Sequence, residues 1–133
     1  MRTAELLGVS AAIALADTII KASIKEPLIT KNRGFAHNRL DDHQHVVAAV
    51  SALLTAVVAK DILSGKKRSL WLALILGGAL SNTYERVFKG YVTDYIKIGN
   101  TVYNISDFAI FAGALMHTIQ SLTSEKEELK WEK

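Results

Sequence analysis

Four apolar stretches divide the chain, at roughly residues 6–24, 46–63, 69–88 and 105–122. Each is close to the about 20 residues a helix needs to cross a bilayer. None alternates as a half-buried strand would. Pro27 lies in the first connection, where a helix should have ended. Segments 48–59 and 70–80 are apolar all round. A surface helix of a small soluble bundle carries a polar stripe, and these do not. The pattern predicts an all-α, polytopic membrane protein of four transmembrane helices forming one domain over residues 1–133. Its rival is a soluble four-helix bundle with an interaction role. A mean hydropathy of only +0.19 favours that rival, but polar loops and the tail dilute the average. The first stretch also resembles a cleaved signal peptide, with Arg2 ahead of an apolar run. Asp17 and Lys21 interrupt that run, so it reads as a retained span.

The short connection holding Lys60, Lys66, Lys67 and Arg68 is expected to stay cytoplasmic, which puts both termini inside. The first and third connections also carry Lys and Arg, so the bias is mixed. In this topology Asp17, Lys21, Asn32, Gly34, Asn82, Glu85, Arg86, Asp94, Asn104 and Asp107 gather at the outer face. The Glu/Lys-rich end, 124–133, reads as a solvated helical extension with i,i+4 pairs.

Composition narrows the chemistry. The chain has 133 residues, half of them apolar, with no Cys. Disulfides, thiol nucleophiles and Cys-based zinc sites are therefore excluded. A formal charge of +3 and few aromatics do not make a nucleic-acid-binding face. His37, His43 and His45 beside Asp41 and Asp42 lack zinc spacings and read as a polar surface loop, so no metal or cofactor is expected.

Carboxylates at a membrane boundary are costly and call for a functional explanation. Asp94 and Asp107 sit at the edges of apolar helices. Two close carboxyls cannot both ionise readily and share a proton. One can then take a proton from water while the other donates to a scissile carbonyl. Spacing alone leaves a second reading open: Asp107 caps the fourth helix and Asp94 is a loop residue. Asp17 and Lys21, at i and i+4, form a structural ion pair. Asn82 and Arg86 have the same spacing, and Arg86 either stabilises a carboxylate or substrate carbonyl or snorkels at the helix end. Asn104 caps the fourth helix, orients Asp107, or does both.

These residues resemble the lipoprotein signal peptidases (signal peptidase II). The Asp17-Thr18-Ile19-Ile20-Lys21 run is similar to the family's Asp-x-x-x-Lys in the first span. Asn32-Arg33-Gly34 resembles its Asn-x-Gly segment, the run 77–94 its third-span block, and 104–107 its Asn-x-x-Asp. The resemblance implies an aspartyl dyad of Asp94 and Asp107. It also implies supporting or substrate-binding roles for Asn32, Gly34, Asn82, Arg86 and Asn104. The implied reaction is cleavage of a diacylglyceryl-modified prolipoprotein just before the lipidated Cys. The implied setting is the bacterial inner membrane, among lipids, as a monomer with the site toward the outer face and open to globomycin-type inhibitors. Four features depart from the family pattern. Ser81 replaces Gly, Glu85 replaces Asp, Phe35-Ala36 is reversed, and the aspartates are only 107 − 94 = 13 apart. A catalytically silent or narrow-specificity paralogue that binds lipidated or signal peptides is the alternative those departures raise.

Overall fold

The computed structural model describes residues 1–34, 41–65 and 69–131. Phe35, Ala36 and His37, and the Lys66, Lys67 and Arg68 cluster, lie outside the described residues. Four α-helices dominate the described residues: α1 (Thr3–Ser23), α2 (Gln44–Leu63), α3 (Leu70–Lys89) and α4 (Ile105–Trp131). Their starts and ends agree with the apolar stretches to within a few residues, except that α4 runs on through its polar end. α1 and α2 are long and apolar enough to cross a membrane. α3, with 20 residues, and α4, with 27, are also long enough, but polar residues lower their apolarity: Asn82, Glu85 and Arg86 in α3, and the Glu/Lys run in α4.

α3 is the central helix, and α1, α2 and α4 each pack chiefly against it. Small residues allow the approach. A Cβ on Gly77 would stand 2.7 Å from the Ser10 carbonyl oxygen on α1. One on Gly113 would stand 2.6 Å from the Trp71 carbonyl oxygen, and one on Gly78 would collide with the Ser106 carbonyl oxygen on α4. Hydroxyls add interhelical bonds: Ser10 donates to the Ala73 carbonyl at 2.9 Å, and Thr55 pairs with Thr83 at 2.9 Å.

The apolar and polar residues are sorted inside out. The buried apolar cluster is small: Leu6, Ile62, Leu72, Ala73 and Leu76. Leu15, Leu53, Leu54, Phe88, Phe111 and Leu115 are exposed, Phe88 by 73 %. Buried instead are Ser10, Asp17, Lys21, Ser81, Glu85, Thr93, Asp94, Asn104 and Ser106. A soluble bundle with this many exposed large side chains would forfeit its main driving force. In a bilayer the same arrangement is the stable one, because polar groups must find partners inside the protein.

The all-α expectation needs one correction. Among the described residues, four three-residue strands lie between helix ends: β1 (Thr30–Asn32), β2 (Val92–Asp94), β3 (Ile96–Ile98) and β4 (Thr101–Tyr103). β1 pairs antiparallel with β2, placing Thr30 opposite Asp94 and Asn32 opposite Val92. β3 and β4 form a hairpin turned at Gly99, whose φ is +61°. Strands this short show no alternation that a sequence can reveal. α3 ends at Gly90 with φ +76°, its N–H donating to the Glu85 carbonyl. That left-handed cap turns the chain back so that β2 follows at once.

Candidate active site

Asn104 joins the two candidate aspartates. Its Nδ2 donates to Asp94 Oδ1 at 2.8 Å. Its backbone N–H donates to Asp107 Oδ2 at 3.0 Å, and its Oδ1 accepts from the Asp107 backbone N–H at 2.9 Å. The last two bonds are a reciprocal cap at the start of α4, with Asn104 at the cap and Asp107 three residues on. Capping and facing Asp94 are therefore not alternatives, because one geometry does both. Asn82 on α3 donates from Nδ2 to Asp107 Oδ1 at 3.0 Å and accepts from Asn104 at its own Oδ1 at 3.1 Å. Asn32 on β1 donates to Asp94 Oδ2 at 3.3 Å, while its own Oδ1 is buried without a partner. Arg86 donates to the Gly34 carbonyl at 2.7 Å and ties the chain beyond β1 to α3. The charges of Asp94, Asp107 and Glu85 all act on that guanidinium.

A second polar cluster lies beneath. Asp17 and Lys21 pair at 2.7 Å, both buried. Asp17 Oδ2 also accepts from Ser81 at 2.7 Å and Ser106 at 2.6 Å, and Oδ1 accepts from the Tyr95 hydroxyl at 2.7 Å. Lys21 reaches Glu85 at 3.0 Å, Asn82 Oδ1 at 2.9 Å and Ser81 at 3.3 Å. Glu85 accepts from the Thr93 backbone N–H and hydroxyl, each at 2.8 Å, and pairs with Lys89 at 2.9 Å.

Burial, and then the neighbouring Asp107 charge, push the Asp94 carboxyl up to about 6. Donors from Asn32 and Asn104 and the Lys21 charge pull it only part of the way back. Burial and the bond to Asp17 hold the Tyr95 phenol protonated well above its ordinary range.

The residues singled out in the sequence thus meet in one bonded set: Asp17, Lys21, Asn32, Asn82, Asp94, Asn104 and Asp107, with Arg86 and Gly34 at its rim. His43 and His45 stand apart, exposed at the start of α2. Among the described residues no group of three His, Cys, Asp or Glu could hold a metal. Sequence reasoning missed Thr93, Tyr95 and Ser106. Each flanks a candidate aspartate, yet Tyr95 and Ser106 bond to Asp17, 78 and 89 residues away. No local pattern marks such partners.

The fold is a helical bundle sorted inside out, with buried Asp94 and half-buried Asp107 set together beside a strand. Two solved bacterial membrane enzymes have this fold. One gives a TM-score of 0.79 over 93 % of this chain and 91 % of its own, at 16 % identity. The other gives 0.73 over 90 % and 93 %, at 17 % identity. The sequence model of the family described as Signal peptidase (SPase) II matches residues 9–123, and the chain belongs to that family. A lipoprotein signal peptidase of Caldicellulosiruptor bescii is 34 % identical over 102 residues, covering 74 % of this chain and 68 % of the relative. One of Haemophilus influenzae is 31 % identical over 113 residues, covering 75 % and 66 %. One of Francisella tularensis subsp. novicida is 38 % identical over 87 residues, covering 62 % and 53 %. The matched part is thus about two thirds of the first two relatives and about half of the third.

Proposed function

We propose that this chain is an aspartic endopeptidase of the membrane. It removes the signal peptide from diacylglyceryl-modified prolipoproteins, cutting just before the lipidated Cys. The observation that carries the reading is the pair of carboxyls joined through Asn104, with Asp94 buried and held at about 6. Such a pair keeps one proton in mildly acidic solution, up to about pH 6.

The hydrogen-bond pattern supports one placement of the proton. Both oxygens of Asp107 accept from N–H donors at 3.0 Å, which suits an ionised carboxylate. Asp94 Oδ1 accepts at 2.8 Å, whereas Oδ2 has only a 3.3 Å contact with Asn32. This pattern supports Asp94 Oδ2 as the protonated oxygen. Asp107 takes a proton from water as the water oxygen attacks the scissile carbonyl carbon. Asp94 gives its proton to the carbonyl oxygen, leaving a neutral tetrahedral diol. Asp107 then protonates the leaving nitrogen as the C–N bond breaks, and Asp94 recovers its proton from the hydroxyl. No metal or thiol is required. The unpartnered Asn32 Oδ1 can accept a substrate N–H. The Arg86 donors not held by Gly34 can meet a substrate carbonyl.

In this reading all four helices span the bacterial inner membrane as a monomer. Both termini face the cytoplasm, and β1 to β4 lie at the outer face beside the site. Membrane lipid surrounds it, and globomycin-type inhibitors would occupy the same site. The silent-paralogue alternative drew on Ser81 and Glu85 together with the short outer connections, including the 13-residue spacing of the aspartates. Ser81 and Glu85 are both bonded into the cluster beneath the aspartates, so those two departures give no sign of a disabled site.

Product analysis tests the reading. Purified protein in detergent is given a diacylglyceryl-modified prolipoprotein, and the products are weighed by mass spectrometry. The expected products are a free signal peptide and a mature chain beginning at the lipidated Cys. Tight binding of the prolipoprotein without any new termini would instead mark a binding protein.

A further inference from the structure

Lys21 faces two α3 side chains three residues apart, on one side of that helix. Its ammonium lies 2.9 Å from Asn82 Oδ1 and 3.0 Å from Glu85 Oε2. Lysine only donates, so the Asn82 atom that meets it must be the oxygen. The amide nitrogen is thereby turned toward Asp107, to which it donates at 3.0 Å. An Asn82 amide free to flip would present an oxygen to an ionised carboxylate and lose that bond.

Glu85 acts on the other aspartate. Its two carboxylate oxygens grip one residue, Thr93, by backbone N–H and hydroxyl, each at 2.8 Å. Thr93 directly precedes Asp94 and sits in the middle of β2, opposite Lys31. A two-point grip on that residue fixes both the position and the rotation of the strand carrying Asp94. Lys21 and Glu85 are themselves paired, with both side chains nearly fully buried.

Burying an ion pair is a poor route to stability, since well-packed apolar residues do as well or better. A mere brace between α1 and α3 has no need of three buried charges at Asp17, Lys21 and Glu85. We propose that the Lys21–Glu85 pair is a positioning device for the dyad, with Lys21 setting Asn82 against Asp107 and Glu85 setting Thr93 and hence Asp94. Asp17 and Ser81 hold Lys21 in place, which gives Ser81 a role that glycine could not fill. The inference rests on the reading of Asp94 and Asp107 as an acid–base pair, and its test separates the two.

The test uses three full-length variants in detergent. The double variant Asp17→Asn/Lys21→Gln removes the charges with near-equal volume. Thr93→Val cuts one arm of the Glu85 grip, and Thr93→Ser restores its hydroxyl. Melting temperature, kcat and KM on the diacylglyceryl-modified prolipoprotein, and the carbon-13 carboxyl titration of Asp94 are measured. Misplacement of reacting groups by about 1 Å lowers turnover by about 100-fold. The double variant should show such a fall in kcat, with KM within about three-fold, and Asp94 should titrate at higher pH once the Lys21 charge is gone. Thr93→Val should lose about ten-fold in kcat at unchanged melting temperature, and Thr93→Ser should regain it. A folded double variant with kcat within about three-fold of wild type and an unmoved Asp94 titration would reduce the pair to a brace. Should the double variant fail to fold, wild-type turnover by Thr93→Val overturns the proposal. If wild type itself does not cut the prolipoprotein but the charge-neutral Thr93→Val moves the Asp94 titration and Thr93→Ser restores it, the peptidase reading fails and the positioning role stands.

Discussion

Asp94 carries a conflict that its neighbours leave unresolved. Burial and Asp107 raise its carboxyl from 3.8 to about 6, against the pull of Asn32, Asn104 and Lys21. The raised value means that the folded protein holds this proton more tightly than the unfolded chain does. The resulting stabilisation is full below 3.8 and is lost as pH rises through about 6. Turnover that needs one proton on the pair must fall over the same upper limb. The pH profile of kcat/KM should therefore decline on its alkaline side with an apparent midpoint near 6. A flat profile to pH 9 would contradict the shared proton. Asp94→Asn removes the buried charge while keeping the shape, and Asn32 can turn its unpartnered Oδ1 toward the new amide. This variant should melt higher than wild type at pH 7.5 and about equally at pH 4, by calorimetry or intrinsic fluorescence. An inactive variant that is more stable than wild type cannot owe its inactivity to unfolding.

Elements place these residues through close backbone contact. Gly78 meets the Ser106 carbonyl, one residue before Asp107, so a methyl group there must displace the first turn of α4. Gly78→Ala should cost about 1–3 kcal/mol of stability and lower kcat by moving Asp107. Gly8, with nothing within 4 Å of its added Cβ, is the control. Gly8→Ala should be neutral or slightly stabilising, because alanine favours the helix. Equal effects at both positions would refute the packing argument. The helices were legible because an apolar run of about 20 residues is a strong signal. The strands were not: each is three residues long, and β1 finds its partner some 60 residues later, Thr30 opposite Asp94. The site was legible only in part. Asp94, Asp107, Asn82 and Asn104 announce themselves as polar residues at helix edges, where their presence is expensive. Thr93, Tyr95 and Ser106 look like ordinary small or aromatic residues, and only the folded chain brings them to Glu85 and Asp17.

For the whole molecule the inverted sorting of side chains is decisive. Leu15, Leu53, Phe88 and Phe111 face outward while Asp17, at 0 % exposure, sits inside. The protein should stay with the membrane pellet after an alkaline carbonate wash and need detergent for release. Because the chain has no Cys, single cysteines report topology cleanly. With both termini inside, Ile98→Cys in the β3–β4 hairpin should react with an impermeant maleimide added to spheroplasts. Ser64→Cys, at the end of α2, should react only after lysis. The reverse labelling would invert the topology and move the site to the cytoplasmic face.

The most direct measurement of the central claim is turnover by the two dyad variants. Wild type, Asp94→Asn and Asp107→Asn are compared on diacylglyceryl-modified prolipoprotein at pH 5.5, with folding verified by melting temperature. The dyad mechanism predicts cleavage before the lipidated Cys by wild type and a loss of at least about 1,000-fold in kcat in each folded variant. Near-wild-type turnover by either variant would contradict it.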